Sequence, residues 1–249
     1  MSEIIAFINQ KGGTAKSTTA LCVGQFLHLQ SKKVLLVDMD AQQNLTYSMG
    51  IESKAKDIMC LLEGSIDASE IIQHAETGDV IPASYNLSGA DIFLTGAGKE
   101  YKLKEALKAV RDYYDYIIID TPPALSILTI NALAACDNVI IPAQADIYSL
   151  QGVVQLSKTI QTVKQYCNKD LTIKGIVLTR YNRRAVLSRD LADMLSQTAE
   201  TLGTKLYKTT IRECIAIKEA QARKQSIFTY APLSNASVDY NNLVNELIK

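Results

Sequence analysis

Short apolar runs that alternate with helix-like segments constrain the fold more than any other feature of this sequence. The runs at 3–9, 32–40 and 114–123 are apolar at consecutive positions, as in EIIAFIN and YIIID. Consecutive apolar residues are typical of strands buried on both faces, which occur in parallel sheets covered by helices. We therefore expect one α/β domain over 1–249, with a mostly parallel twisted sheet and helices on both faces.

The remainder of the chain continues this pattern, with one less regular region. Further strands are expected at 137–143, 171–179 and 205–211. Helices are expected at 19–31, 102–113, 127–135 and 150–166, and a C-terminal helix at 236–249. In the region 41–98 we expect a short strand at 79–83 and a few short helices.

The composition fits a globular protein of the cell interior. Hydrophobic residues make up 47% of the 249 residues, which is enough for a large core, and the formal net charge is zero. The five cysteines are widely spaced and include no CxxC pair, so we expect reduced thiols in a cytoplasmic protein. No apolar run reaches the roughly 18 residues of a membrane span, and we expect none.

The loop after the first apolar run carries phosphate-binding chemistry. The stretch FINQKGGTAKSTT, residues 7–19, is similar to a P-loop, although Gln10 and Ala15 replace the two glycines of the common pattern. The glycine pair at 12–13 allows backbone N–H groups to converge on phosphate oxygens, and the following helix adds the positive end of its dipole. Lys16 has the reach to bind the β- and γ-phosphates, and Ser17 offers a hydroxyl to Mg²⁺.

Carboxylates follow two other strand-like runs. Asp38 and Asp40 end the run at 32–40, and Asp120 follows the apolar part of the run at 114–123. Ligands of open parallel sheets bind beyond the carboxyl ends of the strands, so these acids are expected beside the P-loop. Asp120 is placed to hold the Mg²⁺ shell, as the acid of a Walker B motif does. The alternative is a tight turn with incidental acids at the strand ends.

Six segments together resemble the ParA partition ATPases, the Soj/ParA branch of the deviant Walker A (MinD/ParA) family of P-loop ATPases. They are NQKGGTAKSTT (9–19), KVLLVDMDAQQNLT (33–46), VIPASYNLSGAD (80–91), YDYIIIDTPPALSILTINAL (114–133), IKGIVLT (173–179) and IRECIAIKEAQARKQSIFTYAP (211–232). The resemblance covers nearly the whole chain.

The resemblance implies an enzyme that binds Mg-ATP, forms a sandwich homodimer around two ATP molecules and hydrolyses ATP slowly, with stimulation by a partner. Lys11, the first lysine of the loop, would contact the nucleotide of the other subunit, and Lys16 and Asp40 would complete the catalytic set. Asp40 would orient or activate the attacking water, Asp38 would support the switch I segment, and 120–123 would form switch II. The implied nucleotide-binding residues are Lys11, Gly12, Gly13, Thr14, Ala15, Lys16, Ser17, Thr18, Asp38, Asp120, Thr179, Arg180 and Ile211, of which Ser17 and Asp120 hold Mg²⁺ and the last three lie near adenine.

Ala15 departs from the family, which has glycine before the second lysine. A methyl group there costs little if the backbone φ is negative, and about 1 kcal/mol or more if φ is positive. We expect weaker binding or slower hydrolysis, without loss of the site.

The resemblance also implies that the ATP-bound dimer binds DNA without sequence preference. The segment 171–230 holds 11 Lys or Arg and five Asp or Glu, a net charge of +6, which suits a polyanion. A second family arginine aligns with Ala216, so a neighbouring basic residue would have to replace it. A solvated charged face is the alternative. The implied DNA-binding residues are Arg183, Arg184, Arg189, Arg212, Lys218, Arg223 and Lys224.

The implied stimulating partner is a ParB-type centromere-binding protein, in plasmid or chromosome partition on the nucleoid. The leading alternative is a MinD-like ATPase that cycles on membranes, or one that positions another cargo. The tail 235–249 carries a net charge of −1, which suits docking on the protein's own core rather than on an anionic membrane, so we expect no membrane partner. Two metabolic alternatives of related fold stay open: an iron–sulfur reductase, which needs paired cysteines, and an ATP-dependent synthetase, which needs a substrate pocket.

Overall fold

The computed structural model describes residues 2–52 and 57–248 and builds them around a seven-stranded sheet. Met1, residues 53–56 of the irregular region and Lys249 of the tail lie outside the described residues. The strands are β1 (Glu3–Phe7), β2 (Val34–Asp38), β3 (Gln73–Ala75), β4 (Gly78–Ile81), β5 (Tyr116–Asp120), β6 (Asn138–Ala143) and β7 (Thr172–Leu178). The α-helices are α1 (Lys16–Leu29), α2 (Asn44–Ser48), α3 (Ile58–Glu63), α4 (Ala68–Ile71), α5 (Ala90–Phe93), α6 (Lys102–Lys108), α7 (Ile127–Ala135), α8 (Ile147–Tyr166), α9 (Val186–Thr201), α10 (Ile215–Ala222), α11 (Ile227–Tyr230) and α12 (Asn235–Leu247). Short 3₁₀ helices span Tyr85–Gly89, Lys99–Tyr101 and Arg111–Tyr113.

The sheet brings the polar strand ends to one edge. Its strand order is β3-β4-β2-β5-β1-β6-β7, and every pairing is parallel except the antiparallel pairing of β3 with β4. In this register Asp120 of β5 lies level with Phe7 of β1 and with Asp38 of β2. The loops that leave β1, β2 and β5 therefore start side by side.

Both faces of the sheet are buried, because successive strand residues point to opposite sides. In β1, Ile4 belongs to one hydrophobic cluster and Ile5 to the other. Residues of α1 and α12 pack in the cluster on one face, and residues of α6, α7 and α8 pack in the cluster on the other. The predicted α/β architecture with helices on both faces is confirmed.

One predicted strand, at 205–211, does not form. This segment makes a single parallel bridge to β7 at Leu206. The N–H groups of Tyr207 and Ile211 donate to the β7 carbonyls of Ile176 and Leu178, each at 2.8 Å. Between them, the N–H groups of Lys208 and Thr209 donate to the carboxylate of Glu246 on α12, each at 2.9 Å. The side chain from α12 thus interrupts the pairing, and the segment stays beside β7 without forming a continuous strand.

Smaller differences concern the ends of elements. The strand expected at 79–83 is β4, and its antiparallel partner β3 was not predicted. The helix expected at 102–113 ends at Lys108 and is followed by a 3₁₀ turn at Arg111–Tyr113. The helix expected at 19–31 begins earlier, at Lys16, and ends at Leu29.

The C-terminal helix α12 docks on the core through its apolar face. Tyr240, Leu243 and Val244 are fully buried against the cluster that contains α1. Val238 and Ile248 stay 45% and 38% exposed, because they lie outside this buried face. None of the helices within 2–52 and 57–248 combines the length and apolarity that a membrane crossing requires.

Candidate functional site

The loop between β1 and α1 ends in a helix N-terminus without a side-chain cap. Residue 15, the N-cap of α1, is an alanine with φ 61° and ψ 31°, in the left-handed region, and no side chain bonds to the first N–H groups of the helix. Gly13 also has a positive φ, of 76°. Uncapped N–H groups at a helix N-terminus suit an anion, and the loop opens on a cavity of about 480 Å³. That cavity is lined in part by Gly12, Gly13, Lys16, Ser17 and Thr18.

Polar side chains from β1 and β7 anchor this loop. The Asn9 amide donates to the carbonyl of Pro142 at 2.7 Å and accepts from the backbone N–H of Lys11 at 2.9 Å. The buried Thr179 hydroxyl lies 3.0 Å from the carbonyl of Thr14. Thr179 was predicted to lie near adenine; its hydroxyl contacts the phosphate-binding loop, and the residue also lines the second cavity described below.

Asp38 is fully buried and holds the segment after β2. Its carboxylate accepts the Thr46 N–H at 2.9 Å, the Thr46 hydroxyl at 2.7 Å and the Asp40 N–H at 3.1 Å. The Thr46 hydroxyl in turn accepts the N–H of Ala83 at 2.9 Å. Burial raises the pKa of Asp38 to about 6. These contacts tie the start of α2 to the end of β2. Asp38 was predicted to support the switch I segment, and that role stays a prediction.

Asp120 is a buried carboxylate beside a buried lysine. It is fully buried, and neither of its oxygens has a hydrogen-bond partner among the residues the structure describes. Burial raises the pKa of Asp120 well above its usual range, and the neighbouring Asp38 raises it further, while Ser17 and Lys16 act in the opposite direction. Burial lowers the pKa of Lys16, and the charges of Asp120 and Asp40 oppose that shift. An unpaired carboxylate next to a hydroxyl is a donor set that suits Mg²⁺.

Asp40 lies at the wall of the same cavity. It is buried, and its carboxylate accepts the N–H of Gln42 at 3.0 Å. Pro123, from the loop after β5, lines the cavity together with Asp40 and Lys16. The structure therefore brings together the acids, the second lysine and the loop that were predicted to form one site.

Lys11 points away from this cavity. Its ammonium group donates to the Asp146 carboxylate at 2.5 Å and lies 3.5 Å from the Ser149 hydroxyl. Asp146 is also the N-cap of α8, where it accepts the N–H of Ser149. Burial tends to raise the pKa of Asp146, but the hydrogen bonds from Lys11 and Ser149 outweigh it and hold that pKa below its usual value. The sequence analysis expected this helix to begin at residue 150 and predicted neither the cap at Asp146 nor its contact with Lys11.

A second cavity of about 240 Å³ adjoins the first and shares Gly13, Ala15, Thr18 and Gln221 with it. The three residues predicted near adenine all line this second cavity, and so does Lys218; the three are Thr179, Arg180 and Ile211. Arg180 has a positive φ of 51° and pairs with Glu213 at 2.6 Å. The two adjoining cavities suit a ligand with a phosphate end and a less polar end.

The predicted DNA-binding residues do not form one cluster. Arg183, Arg184 and Arg212 line a wide cavity of about 880 Å³ next to the second one, and Lys208, which was not singled out from the sequence, lines it too. Arg189 is exposed on α9. Lys218 lines the second cavity, and the last two lie over aromatic rings, Arg223 over Tyr230 and Lys224 over Tyr47.

Arg212 is held by a neighbouring acid. Its guanidinium donates to both carboxylate oxygens of Asp239, at 2.9 and 2.6 Å, and its backbone N–H donates to the same group at 3.0 Å. The hydrogen bond to Asp239 raises the pKa of Arg212. Its charge is therefore largely compensated by α12.

Comparison with known proteins gives a consistent set of similarities. A family model described as an AAA domain matches residues 2–173. The chain is 40% identical to the sporulation initiation inhibitor protein Soj of Bacillus subtilis, over 99% of this chain and 98% of that protein. It is 35% identical to the chromosome partitioning protein ParA of Caulobacter vibrioides, over 98% of this chain and 93% of that protein.

A solved structure with a similar fold contains nucleotide and metal. It is cobyrinic acid a,c-diamide synthase from Mycobacterium smegmatis with bound ADP and magnesium, at a TM-score of 0.84 and 32% identity. The alignment covers 100% of this chain and 94% of that one.

Proposed function

The chain belongs to the Soj/ParA family of P-loop ATPases, and from this premise we propose that it binds Mg-ATP, dimerises on it, and in that state binds double-stranded DNA without sequence preference. Hydrolysis, stimulated by a ParB-type partner, releases the DNA. Repeated cycles on the nucleoid move or space plasmids or chromosomes. The relatives named for chromosome partitioning and for inhibition of sporulation support this direction.

One observation carries the nucleotide part of the proposal. The Asp120 carboxylate is buried without a hydrogen-bond partner among the described residues, and it lies beside Lys16 beneath an uncapped helix N-terminus. A carboxylate buried in this way is costly in its charged form, which is why burial raises the pKa of Asp120 well above its usual range. A site of this kind is stabilised by a ligand that brings a divalent cation and phosphate oxygens together.

Different residues of the chain would bind the metal, bind the phosphates and orient the water. Ser17 and Asp120 would hold Mg²⁺, which neutralises phosphate charge when bound. The N–H groups of the loop 12–18 and the ammonium of Lys16 would bind the phosphates. Asp40, buried at the wall of the phosphate cavity, would orient the attacking water.

Lys11 would complete the site of the second subunit. A positive charge brought to the phosphates in trans makes hydrolysis depend on dimer formation. To reach across, the Lys11 ammonium has to leave Asp146. Both side chains are about 30% exposed, so this exchange occurs at the surface without disturbing the core.

The DNA part of the proposal rests on exposed cations. Arg183, Arg184 and Lys208 are exposed and line the same wide cavity. Non-specific binding needs such cations against phosphates, and its affinity falls steeply with salt. Arg212 contributes less than its position in the sequence suggests, because Asp239 holds it.

Of the two alternative functions, the ATP-dependent synthetase has more support than the membrane-cycling ATPase. The similarity to cobyrinic acid a,c-diamide synthase favours an ATP-dependent synthetase as the second candidate. A membrane-cycling ATPase needs a free amphipathic helix, whereas the apolar face of α12 is buried against the core.

Retention on unrelated DNA tests the proposal. We expect a mobility shift of a random duplex with ATP, and much less with ADP or without nucleotide. Arg184→Glu should weaken the shift and reduce its dependence on salt while ATP binding stays intact. Lys16→Ala should abolish both ATP binding and the mobility shift. Equal DNA binding in all nucleotide states would contradict the proposal and favour the synthetase.

A further inference from the structure

Two side chains that do not line the phosphate cavity hold carbonyl groups of its loop, and one of them, Thr179, also lines the second cavity. Thr179, at the end of β7, places its hydroxyl 3.0 Å from the Thr14 carbonyl and 3.2 Å from the Ala143 carbonyl. Gln144, just after β6, donates its side-chain N–H to the Gly13 carbonyl at 2.9 Å. We propose that Thr179 and Gln144 are positioning residues that fix the loop in its phosphate-binding conformation, an inference that rests on the proposed binding of ATP.

Because the peptide bond is planar, these contacts also fix the direction in which the next N–H groups of the loop point. In a trans peptide the carbonyl and the N–H of the next residue point in opposite directions. Holding the carbonyls of Gly13 and Thr14 on the Gln144 and Thr179 side directs the N–H groups of Thr14 and Ala15 to the other side of the chain. The phosphate oxygens would then meet donors that are already aligned, which reduces the entropy lost on binding.

The loop needs such restraint because its backbone is unusual. Gly13 has φ 76°, and glycine allows the peptides on either side of it to rotate freely. Ala15 has φ 61°, which costs an alanine roughly 1–2 kcal/mol. A residue in this region persists when its surroundings determine its conformation, and the two anchors hold the two carbonyls that precede it.

The two anchors differ in strength. Thr179 is fully buried, and its own N–H donates to the Ala143 carbonyl at 2.8 Å, so its position is set by the pairing of β6 with β7. Gln144 is half-buried, and water competes for its amide. We therefore expect the larger effect from Thr179 and a smaller one from Gln144.

A simpler role for Thr179 makes a different prediction. If its hydroxyl only satisfies the Ala143 carbonyl, its removal lowers stability and leaves nucleotide affinity unchanged. Thr204 is a matched control, because its hydroxyl donates to the Ile173 carbonyl at 2.6 Å at the other end of β7. Thr204→Val removes a comparable hydrogen bond far from the loop.

The test compares nucleotide affinity, catalysis and stability in the full-length protein. Thr179→Val should weaken binding of ADP and ATP about tenfold and raise KM in proportion. Its kcat should stay within about twofold of the wild type, because the lost interaction stabilises the bound substrate and the transition state equally. Thr179→Ser should restore wild-type affinity. Thr204→Val should lower Tm and leave affinity unchanged.

The result that overturns the proposal is a folded Thr179→Val protein that binds ADP as the wild type does. If Thr179→Val does not fold, Gln144→Met decides alone: a loss of affinity of about threefold or more supports the proposal, and an unchanged affinity overturns it. A wild-type protein that binds no nucleotide would instead refute the proposed function, because no variant could then show a difference.

Discussion

Replacing Ala15 with glycine tests whether the departure from the family pattern weakens the site. The left-handed backbone at φ 61° costs alanine roughly 1–2 kcal/mol, and glycine removes this cost but loses about 0.5–1 kcal/mol more backbone entropy on folding. The net gain is about 1 kcal/mol, or about a factor of five in an equilibrium or rate constant. We expect Ala15→Gly to tighten ATP binding or to raise the hydrolysis rate by up to this factor.

Titration with a fluorescent ATP analogue and single-turnover hydrolysis measure the two quantities. Ser31→Gly is a matched control, because Ser31 also has a left-handed φ, of 63°, but lies beyond the far end of α1. Both variants should raise Tm by a few degrees, and only Ala15→Gly should change ATP binding or turnover. If affinity and rate are unchanged in Ala15→Gly, the alanine does not impair the site, and the reasoning from its backbone is wrong.

Three further predictions address the remaining charged groups. Lys11→Ala should bind ATP but fail to form the ATP-dependent dimer in light scattering, and an intact dimer would refute the trans role of this lysine. Asp40→Ala should retain an ATP-loaded dimer on DNA, because hydrolysis is blocked while binding is not; brisk phosphate release by this variant would count against its assignment. Because burial raises the pKa of Asp38 to about 6, above the roughly 3.9 of an unfolded chain, stability is lost as pH rises between these values. Without added Mg²⁺, Tm should therefore fall between pH about 4 and pH about 6 and level off above it, and Asp38→Asn should flatten the dependence.

The sheet and the phosphate site were predictable because their signals are local. Consecutive apolar residues in EIIAF and YIIID can be satisfied only by strands buried on both faces. Once these strands are parallel, their carboxyl ends meet, and Asp38 and Asp120 have to lie next to the loop after β1. The ends of α7 were also predictable, since Ile127–Ala135 is a compact apolar segment between a proline-rich turn and the next strand.

The anchors of the site were not predictable, because they depend on contacts between distant parts of the chain. Thr179 and Thr14 are 165 positions apart, and Gln144 and Gly13 are 131 positions apart. Threonine and glutamine at strand ends are common, and no local pattern marks which carbonyl they will reach. The segment 205–211 fails as a continuous strand for the same reason, since two of its N–H groups, those of Lys208 and Thr209, donate to Glu246 of the C-terminal helix.

The strength of the Lys11–Asp146 pair decides how it would act on the proposed dimer formation. Both side chains are about 30% exposed, and ion pairs near the surface contribute about 0.2–1 kcal/mol. A triphosphate that is partly shielded from water attracts the same ammonium more strongly, because it carries several negative charges at a lower effective dielectric. The pair therefore biases Lys11 toward its own chain without preventing the exchange. Asp146→Asn should strengthen the ATP-dependent dimer by at most about fivefold. A much larger gain would mean that the ion pair prevents Lys11 from leaving its own chain, which would contradict this reasoning.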